Sequence, residues 1–214
     1  NGYCAKLMTH VEHVKVLGLM NISVLAAGSI FLGDIQEPIT GTKDGEKSLN
    51  WGIPYNKRPK ALRYDYRVSL SGSPNRIKQT GFSKESTVSG KDCAVTVLLL
   101  QKRTEDAKGN IMAKRVGTMV IEYAHSTKDW VENATYRIMY GDIHNHPGYD
   151  ARLMGLRSTD YARNSKGKSV QVKETGWASE DDTPTHLVLQ FSSSNGGAFI
   201  GSPGNTFWID NVRL

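Results

Sequence analysis

The chain has 214 residues, of which 38% are hydrophobic and 22% are charged. That composition excludes a collagen, a coiled coil and a disordered polymer, and the length suits a domain with a sizeable core. The 27 Lys and Arg residues outnumber the 21 Asp and Glu residues, and the resulting formal net charge of +6 favours anionic partners such as acidic glycans, nucleic acid or cell-surface polymers.

The start of the chain and its cysteines give few constraints. Residues 1–3 form neither a translation start nor a signal peptide, so we interpret the chain as a mature or excised domain. The region from Val16 to Gly33 is apolar, but polar residues interrupt it and it falls short of the roughly 20 apolar residues of a membrane span. It predicts a buried strand instead. Cys4 and Cys93 allow one disulfide and are too distant in sequence for a metal knuckle.

Short, β-branched apolar runs bounded by turn residues predict strands. In chain order they are Ala94 to Leu100, Val116 to Tyr123, Tyr136 to Tyr140, Leu187 to Phe191 and Phe207 to Leu214. The run from Val95 to Leu100 is apolar at nearly every position, which is typical of a strand covered on both faces. We therefore predict an all-β fold, an antiparallel sandwich of two sheets.

The stretch from Arg163 to Thr185 is polar and surrounds Trp177. It is expected to be a long excursion from the sandwich, and loops of that length usually carry a function or are mobile. The sequence contains no internal repeat and no linker with a shift in composition. We therefore expect residues 1–214 to form a single domain.

Three stretches resemble the sequence pattern of one family. Residues 26–33, AAGSIFLG, match its early strand and turn. Residues 50–66 match a segment of the family that contains G-x-P-aromatic, then RP-x-AL and Y-x-Y. The stretch from Pro184 to Leu214 matches the family's terminal pattern of serines and glycines followed by a final aromatic-rich strand. With Asp92, Cys93 and the Trp130 region, the likeness covers most of the chain. The sequence resembles the putative carbohydrate metabolism domain of Bacteroidetes outer-surface proteins.

The resemblance implies a jelly-roll sandwich similar to carbohydrate-binding modules. It also implies an extracytoplasmic role with glycans, in a protein that is secreted or anchored at the outer surface. We expect residues 1–214 to be the C-terminal domain of a longer secreted protein. The expected partner is a polysaccharide or another glycan, with no nucleic-acid partner and no membrane span in this segment.

No familiar catalytic pattern is present. A retaining glycosidase needs two carboxylates about 5 Å apart, and no apolar strand carries alternating acidic residues. Glu180, Asp181 and Asp182 are consecutive in a polar stretch and are expected to be solvated. A nucleophile elbow, a phosphate loop and zinc-protease spacings are absent. We therefore assign no catalytic residue.

Asp142, His144 and His146 alternate along the sequence. On an extended chain they would point the same way, and a carboxylate with two imidazoles suits zinc. The alternative is a solvent-exposed loop that precedes Pro147. These residues, together with Tyr140, Arg137 and Arg152, also suit a polysaccharide lyase, in which cations neutralise a uronate and Tyr or His removes a proton.

Glycan-binding sandwiches place aromatic faces against sugar rings. The candidates are the aromatic residues in turn-like segments, namely Trp51, Tyr55, Tyr149 and Trp177. The alternative for each is a packing role. Trp130 and Trp208 are assigned to structure, because each opens or lies within a strand of the family pattern.

Asp210 shares one face of the final predicted strand with Trp208, Val212 and Leu214, which predicts a buried carboxylate. A buried carboxylate needs a partner. We consider a structural Ca²⁺ held by Asp210 and Asp34, with backbone N–H groups or an arginine as the alternative. No other cofactor is expected.

The leading functional hypothesis is a non-catalytic carbohydrate-binding or glycan-associated cell-surface module. One alternative is a polysaccharide lyase that acts on an acidic glycan. The other is a structural adhesion or assembly domain.

Overall fold

The computed structural model describes residues 2–16, 20–35, 47–81 and 84–214, and their regular structure is almost entirely β-strand. The first part of the chain contains β1 (Ala5–Met8), β2 (His10–Val16), β3 (Met20–Ala26), β4 (Ser29–Phe31), β5 (Gly33–Ile35), β6 (Leu49–Trp51), β7 (Ile53–Pro54), β8 (Ala61–Ser69), β9 (Asn75–Lys78), β10 (Thr80–Gly81) and β11 (Ser86–Ser89). The second part contains β12 (Ala94–Glu105), β13 (Ile111–Tyr123), β14 (Val131–Arg137), β15 (Met139–Tyr140), the helix α1 (Ala151–Met154), β16 (Tyr161–Arg163), β17 (Ser169–Trp177), β18 (His186–Ser192), β19 (Ile200–Gly201) and β20 (Thr206–Arg213).

Two sheets form a sandwich. The smaller sheet has the order β1-β20-β8-β14, and the larger has the order β16-β17-β13-β12-β18-β4, with β15 beside β13 and β7 beside β18. Their facing sides share the main core, which includes Leu62, Tyr64, Val68, Leu98, Leu100, Met119, Leu189, Phe191, Phe207 and Ile209. Three smaller sheets have the strand orders β10-β3-β2, β11-β9-β19 and β5-β6. The predicted all-β sandwich is confirmed.

The predicted strands are present, and one of them is covered on both faces as expected. The run Ala94 to Leu100 lies within β12. Its side chains alternate between the main core and a second cluster on the outer face of the larger sheet. That outer cluster contains Val95, Val97, Leu99, Val120 and Val188, and Trp51, Leu153 and Met154 pack against it.

The polar stretch from Arg163 to Thr185 is not the loop that its composition predicts. It contains β17, which pairs antiparallel with β16 and parallel with β13, so the larger sheet is mixed at this edge rather than purely antiparallel. Two buried side chains of β17 are Val172 and the polar Glu174. Glu174 is buried as the partner of Arg115 in an ion pair. A charged residue therefore occupies a buried position of β17, and the sequence shows no apolar run there.

The last strand, β20, faces the core with the opposite set of residues from the predicted one. Phe207 and Ile209 are buried, whereas Trp208 and Asp210 are half-exposed and Val212 is exposed. The prediction that Asp210 lies on a buried face is therefore wrong. The period of two is right, but Phe207 and Ile209, and not Trp208 and Asp210, are the side chains that lie between the sheets.

Two expectations about the start of the chain can be compared with the described residues. The apolar region from Val16 to Gly33 contributes β3 and β4, in which Leu25 is buried and most other described side chains are partly exposed. Within the described ranges, no helix has the length and apolarity needed to cross a membrane. Cys4 and Cys93 are free thiols rather than a disulfide.

Candidate functional site

A cleft opens where β15 leads into the loop that precedes α1. We call it the 139–146 cleft. It encloses about 530 Å³. The side chains that line it are Arg137, Ile138, Met139, Tyr140, Asp142, Ile143, Asn145, His146 and Glu180. The cleft therefore combines an aromatic ring with an arginine, carboxylates, an amide and an imidazole, which can all bond to a polar ligand.

The backbone of this loop is fixed to the larger sheet. Tyr140 on β15 lies opposite Gly117 on β13, and the Gly141 amide donates to the Val116 carbonyl at 3.0 Å. Gly141 has a φ of +75°, and a Cβ there would lie 3.1 Å from the Glu180 backbone. Glycine thus permits both the turn and the close approach of Glu180.

Arg58 contacts two of the residues that line the cleft, Tyr140 and Glu180. Its guanidinium lies 4.2 Å from the centroid of the Tyr140 ring and donates to the backbone carbonyls of Glu180 and Asp182. The Tyr140 hydroxyl donates to the Pro59 carbonyl at 2.8 Å. Arg58 therefore joins the aromatic wall of the cleft to the segment that carries Glu180.

Asp142, His144 and His146 do not form a metal site. They lie in a turn rather than on an extended chain, so their alternation in sequence does not align them. Asp142 Oδ1 lies 2.6 Å from His144 Nδ1, while His146 Nδ1 accepts a hydrogen bond from the Gly148 amide at 3.1 Å. In the described ranges, no group of three His, Cys, Asp or Glu side chains is arranged to hold a metal. The zinc interpretation is therefore wrong for these residues.

The contact with His144 has an electrostatic consequence for Asp142. Hydrogen bonds from the His144 backbone and imidazole lower the pKa of the Asp142 carboxyl. Asp142 is thus an anion at neutral pH and can accept hydrogen bonds from ligand hydroxyls.

Two of the four predicted glycan-binding aromatics lie together beside this loop. The ring centroid of His144 is 5.1 Å from that of Tyr149 and 5.2 Å from that of Trp177, and the Tyr149 and Trp177 centroids are 6.4 Å apart. We call these three residues the aromatic cluster. Tyr149 and Trp177 are half-buried and His144 is exposed. The cluster therefore presents partly accessible rings next to the polar cleft.

A buried arginine contacts the ring of Trp177 from the interior of the protein. The Arg115 guanidinium carbon lies 5.6 Å from the Trp177 ring centroid. Arg115 is itself fully buried and paired with Glu174 on β17, the strand that ends at Trp177. A fixed cation on one side of an indole restricts its orientation.

Trp51 and Tyr55 lie elsewhere. The Trp51 ring packs against the outer cluster, with its centroid 4.7 Å from that of Phe31. Tyr55 packs against the main core, where burial raises its pKa, and its amide donates to the Thr185 carbonyl at 2.9 Å. The structure thus brings together Tyr149 and Trp177 but not these two residues.

The predicted lyase residues are only partly assembled. Arg137, Tyr140 and His146 line the same cleft. Arg152 instead makes a bidentate contact with Glu122, with distances of 3.1 and 2.9 Å.

The two aspartates considered for calcium have separate partners. Asp34 accepts hydrogen bonds from Asn50 Nδ2 at 2.9 Å and from Arg163 at 2.7 Å. Asp210 lies on β20 opposite Asp65 and accepts a hydrogen bond from the Asn211 amide at 2.7 Å. The argument from a buried Asp210 no longer applies, and calcium at these residues stays a prediction.

Sequence reasoning did not assign Glu180 and Asn145 to the cleft, and it did not link Arg58 to the residues that line it. Glu180 is exposed, as expected, but it also lines the cleft. Arg58 and Asn145 were not singled out as site residues. Arg58 and Glu180 are 122 residues apart in sequence, so no local pattern links them. For Arg58 the RP-x-AL motif of the family resemblance was an available indication.

Solved structures resemble this chain in fold. One is titled a "putative glycoside hydrolase" from Bacteroides thetaiotaomicron VPI-5482, with a TM-score of 0.52 and 15% identity over 95% of this chain and 56% of that one. Another, a "putative glycoside hydrolase" from Bacteroides vulgatus ATCC 8482, has a TM-score of 0.49 and 15% identity over 89% of this chain and 64% of that one. The chain therefore spans less than two thirds of either structure.

Sequence comparison gives the family. The search of curated proteins found no match. The family model described as "Putative carbohydrate metabolism domain" matches residues 1–214, which is the family that the sequence motifs indicate. The chain therefore belongs to the putative carbohydrate metabolism domain family.

Proposed function

We propose that this chain is a non-catalytic glycan-binding module, and that the 139–146 cleft with the adjacent aromatic cluster is its binding site. The observation that carries the proposal is that Tyr149 and Trp177 lie together beside a polar cleft of about 530 Å³. Sites for small ligands are concave and combine apolar or aromatic surface with a few polar groups that fix orientation.

The side chains of the site suit a sugar. An aromatic ring can pack against the C–H face of a pyranose. Asp142 and Glu180 can accept hydrogen bonds from hydroxyls, and Arg137 and Asn145 can donate to ring and hydroxyl oxygens. The family and the fold of the structural neighbours support a role with carbohydrates.

Two observations oppose a lyase that uses Tyr140 as its base and Arg152 to neutralise a uronate. A lyase base has to release its own proton before it can take one from the substrate. The Tyr140 hydroxyl already donates to Pro59, and burial raises its pKa, which opposes that role. Arg152, expected to neutralise a uronate, is engaged by Glu122. An extracytoplasmic location and a place in a longer secreted protein remain part of the proposal.

The proposal can be tested with a glycan array that includes both neutral and acidic oligosaccharides. We expect the chain to bind, and Arg137→Ala and Trp177→Ala to weaken the binding. Loss of a stacking contact on the order of 1 kcal/mol corresponds to roughly a fivefold change in affinity. Tyr3→Ala is a matched control, because Tyr3 is 97% exposed and lies outside the proposed site.

Three results would contradict the proposal. Absence of binding to the array would favour a structural or assembly role. Unchanged affinity in both Arg137→Ala and Trp177→Ala, with melting temperatures measured in parallel, would show that the site lies elsewhere. Formation of unsaturated uronates, detected by ultraviolet absorbance after incubation with an acidic polysaccharide, would identify a lyase.

A further inference from the structure

A second cavity lies where β12, β16 and β18 meet the short strands β6 and β7. It encloses about 300 Å³. Its wall includes Asn50, Arg103, Glu105, Arg163 and His186. Among the described residues, this cavity and the 139–146 cleft share no lining side chain. We call it the Arg103 cavity.

Arg103 is a half-buried cation that forms no ion pair within the described part of the chain. Its Nε donates to Gln101 Oε1 at 2.8 Å, and its Nη1 donates to the Trp51 carbonyl at 2.9 Å. Both acceptors are neutral, and Nη2 is buried without a partner among the described residues. Burial lowers the pKa of Arg103 to about 10, which still leaves it charged at neutral pH. Charges withdrawn from water are normally paired, so Arg103 lacks an anion.

The carboxylates that act on Arg103 from inside the protein are already paired. Glu174 pairs with Arg115, and Asp160 pairs with Arg157 at 2.8 Å. This group of three guanidinium groups and two carboxylates therefore has one positive charge in excess. The excess charge lies on Arg103, the member of the group that lines the cavity.

The neighbouring His186 does not supply a counter-charge, but it offers a polar contact. Burial, and then repulsion by Arg103, lowers the pKa of His186 to about 4, so the ring is neutral at neutral pH. His186 Nδ1 lies 2.9 Å from Thr185 Oγ1. Its Nε2 has no partner among the described residues and can bond to a ligand.

Glu105 is the carboxylate on the cavity wall, and its charge opposes an anion there. Both of its oxygens accept hydrogen bonds from Ser165, at 2.8 and 2.6 Å, and the charges that act on it are those of Lys166 and Asp106. Glu105 is exposed, and it is not among the groups that shift the pKa of Arg103. Water and salt screen exposed charges far more than buried ones. Arg103 therefore determines the sign of the potential in the buried part of the cavity.

Arg163 adds a second cation to the wall. Its guanidinium donates to Asp34 at 2.7 Å, and this pair is exposed. The Arg163 amide donates to Asn50 Oδ1, and Asn50 Nδ2 donates to Asp34 Oδ2, each at 2.9 Å. The exposed pair is neutral as a whole and leaves the excess charge of Arg103 in place.

We propose that the Arg103 cavity binds the carboxylate group of a sugar acid, such as a uronic-acid unit. A carboxylate carries the single negative charge that Arg103 lacks, and the attraction is strong because the guanidinium is withdrawn from water. The volume is at the lower end of ligand pockets, roughly 300–1,000 Å³, which suits one sugar unit. Pro54, Ile111 and Ala162 add apolar surface to the wall. The choice of a sugar rests on the proposed function, whereas the choice of an anion rests on Arg103.

The test uses sodium glucuronate and sodium galacturonate as probes, with glucose as the uncharged comparison. Titration calorimetry measures the affinity of each. We expect at least one uronate to bind and glucose to bind more weakly or not at all. The affinity should fall between low and physiological ionic strength, because salt screens the attraction. Absence of binding by both uronates would overturn the inference.

His186 reports where the anion binds. A carboxylate near Arg103 offsets the repulsion that the guanidinium exerts on the imidazole, so a bound uronate should raise the pKa of His186. Imidazole chemical shifts measured by NMR with and without the uronate give this change directly. Glucose should leave them unchanged. Uronate binding without any response of His186 would place the anion elsewhere and overturn the inference.

Variants of Arg103 test the charge itself. Arg103→Gln should weaken uronate binding at least roughly tenfold, as expected for loss of a charge-assisted contact. Arg103→Lys keeps the charge and should retain part of the affinity. Arg67→Gln is the matched control, since it makes the same change in net charge at an exposed position of β8 outside the cavity. Melting temperatures are measured in parallel; if Arg103→Gln does not fold, Arg103→Lys and the His186 shifts in the wild type decide.

The outcomes separate this cavity from the 139–146 cleft. Loss of uronate binding in Arg103→Gln, with or without loss in Arg137→Ala, supports the Arg103 cavity. Loss confined to Arg137→Ala would place the uronate in the cleft, overturn this inference and leave the proposed function intact. Uronate binding that depends on Arg103, without binding of any glycan to the cleft, would retain this inference and overturn the proposed function. Acetate that binds as tightly as the uronates would overturn the assignment to a sugar acid.

Discussion

Arg115 and Glu174 form an ion pair whose side chains are 1% and 0% exposed. Arg115 Nε donates to Glu174 Oε1 at 2.7 Å, and Gln101 Nε2 donates to the same oxygen at 2.7 Å. Arg115 also donates to the carbonyls of Met154 and Gly155, at the C-terminal end of α1. The pair therefore fixes β17 and the helical segment to β13, and with them Trp177.

We predict that Glu174→Gln strongly destabilises the fold. Removing one partner leaves a buried, uncompensated guanidinium, which typically costs about 3–5 kcal/mol. Chemical denaturation measures the free energy of unfolding. Asp34→Asn is the matched control, because it breaks an arginine pair whose side chains are 39% and 52% exposed, and such pairs contribute about 1 kcal/mol or less. Equal losses in the two variants would contradict the prediction.

The ion pair of Arg115 and Glu174 also predicts that the stability of the fold depends on pH in the acidic range. Burial raises the pKa of Glu174, but the hydrogen bonds and charge of Arg115 outweigh it, so the pKa lies below its usual 4.5. The stabilising contribution is therefore present above pH 4.5 and is lost as the pH falls through the lowered pKa. We expect wild type to lose more stability than Glu174→Gln between pH 5 and pH 3. Parallel denaturation curves at the two pH values would reveal the difference.

His186 should titrate far below an ordinary histidine. Burial, and then repulsion by Arg103, lowers its pKa from 6.5 to about 4. Between these values the unfolded chain takes up a proton that the folded chain does not, so stability falls as the pH drops from 6.5 towards 4. Imidazole chemical shifts measured by NMR give the pKa directly, and His186→Gln should remove this part of the pH dependence. A His186 midpoint above pH 6 would show that the ring is not desolvated.

Asp92 joins segments that are far apart in sequence. Its Oδ1 accepts hydrogen bonds from the amides of Cys93 and Asn195, at 3.0 and 3.2 Å. Its Oδ2 accepts from the Ser202 amide at 2.8 Å and from Asn205 Nδ2 at 3.1 Å. The residue is 8% exposed. One buried carboxylate thus satisfies four donors.

We predict that Asp92→Asn costs about 2 kcal/mol, because an amide has only one oxygen and its NH₂ group would face two N–H donors. Hydrogen exchange at Asn195 and Ser202 should accelerate together with the loss of stability. The control is Asp106→Asn, which changes a carboxylate that also accepts several hydrogen bonds but is solvent-exposed. Water can replace the lost bonds there, so a loss as large as that of Asp92→Asn would contradict the explanation.

Strands whose buried side chains are apolar could be predicted from the sequence. The strand β17, which buries the charged Glu174, could not. β12 and β18 are visible because burial alone stabilises them. β17 depends on Glu174, whose partner Arg115 lies 59 residues away. Likewise, residue type marked Tyr149 and Trp177 individually, but only the pairing of β17 with β13 places Trp177 beside the 139–146 loop.

The final prediction concerns Gly28, in the AAGS motif of the family resemblance. A Cβ at this position would lie 2.3 Å from the Met8 backbone nitrogen and 2.8 Å from the Leu7 carbonyl carbon. The Gly28 amide donates to the Met8 carbonyl at 3.1 Å, and its carbonyl accepts from the Ser193 amide at 2.9 Å. Glycine is therefore needed for a close approach of backbones that links β1 to the larger sheet.

We predict that Gly28→Ala destabilises the protein by about 1–3 kcal/mol, because backbone atoms must separate to admit the methyl group. Gly148→Ala is the matched control, since its Cβ would meet the closest atom at 3.5 Å, an ordinary contact distance. Thermal melts compare the two variants. Amide hydrogen exchange at Gly28 and Ser193 locates the damage, and it should accelerate in Gly28→Ala but not in Gly148→Ala. Equal melting temperatures for Gly28→Ala and wild type would mean that β1 can move away without cost, and that the glycine of the motif is not a packing requirement.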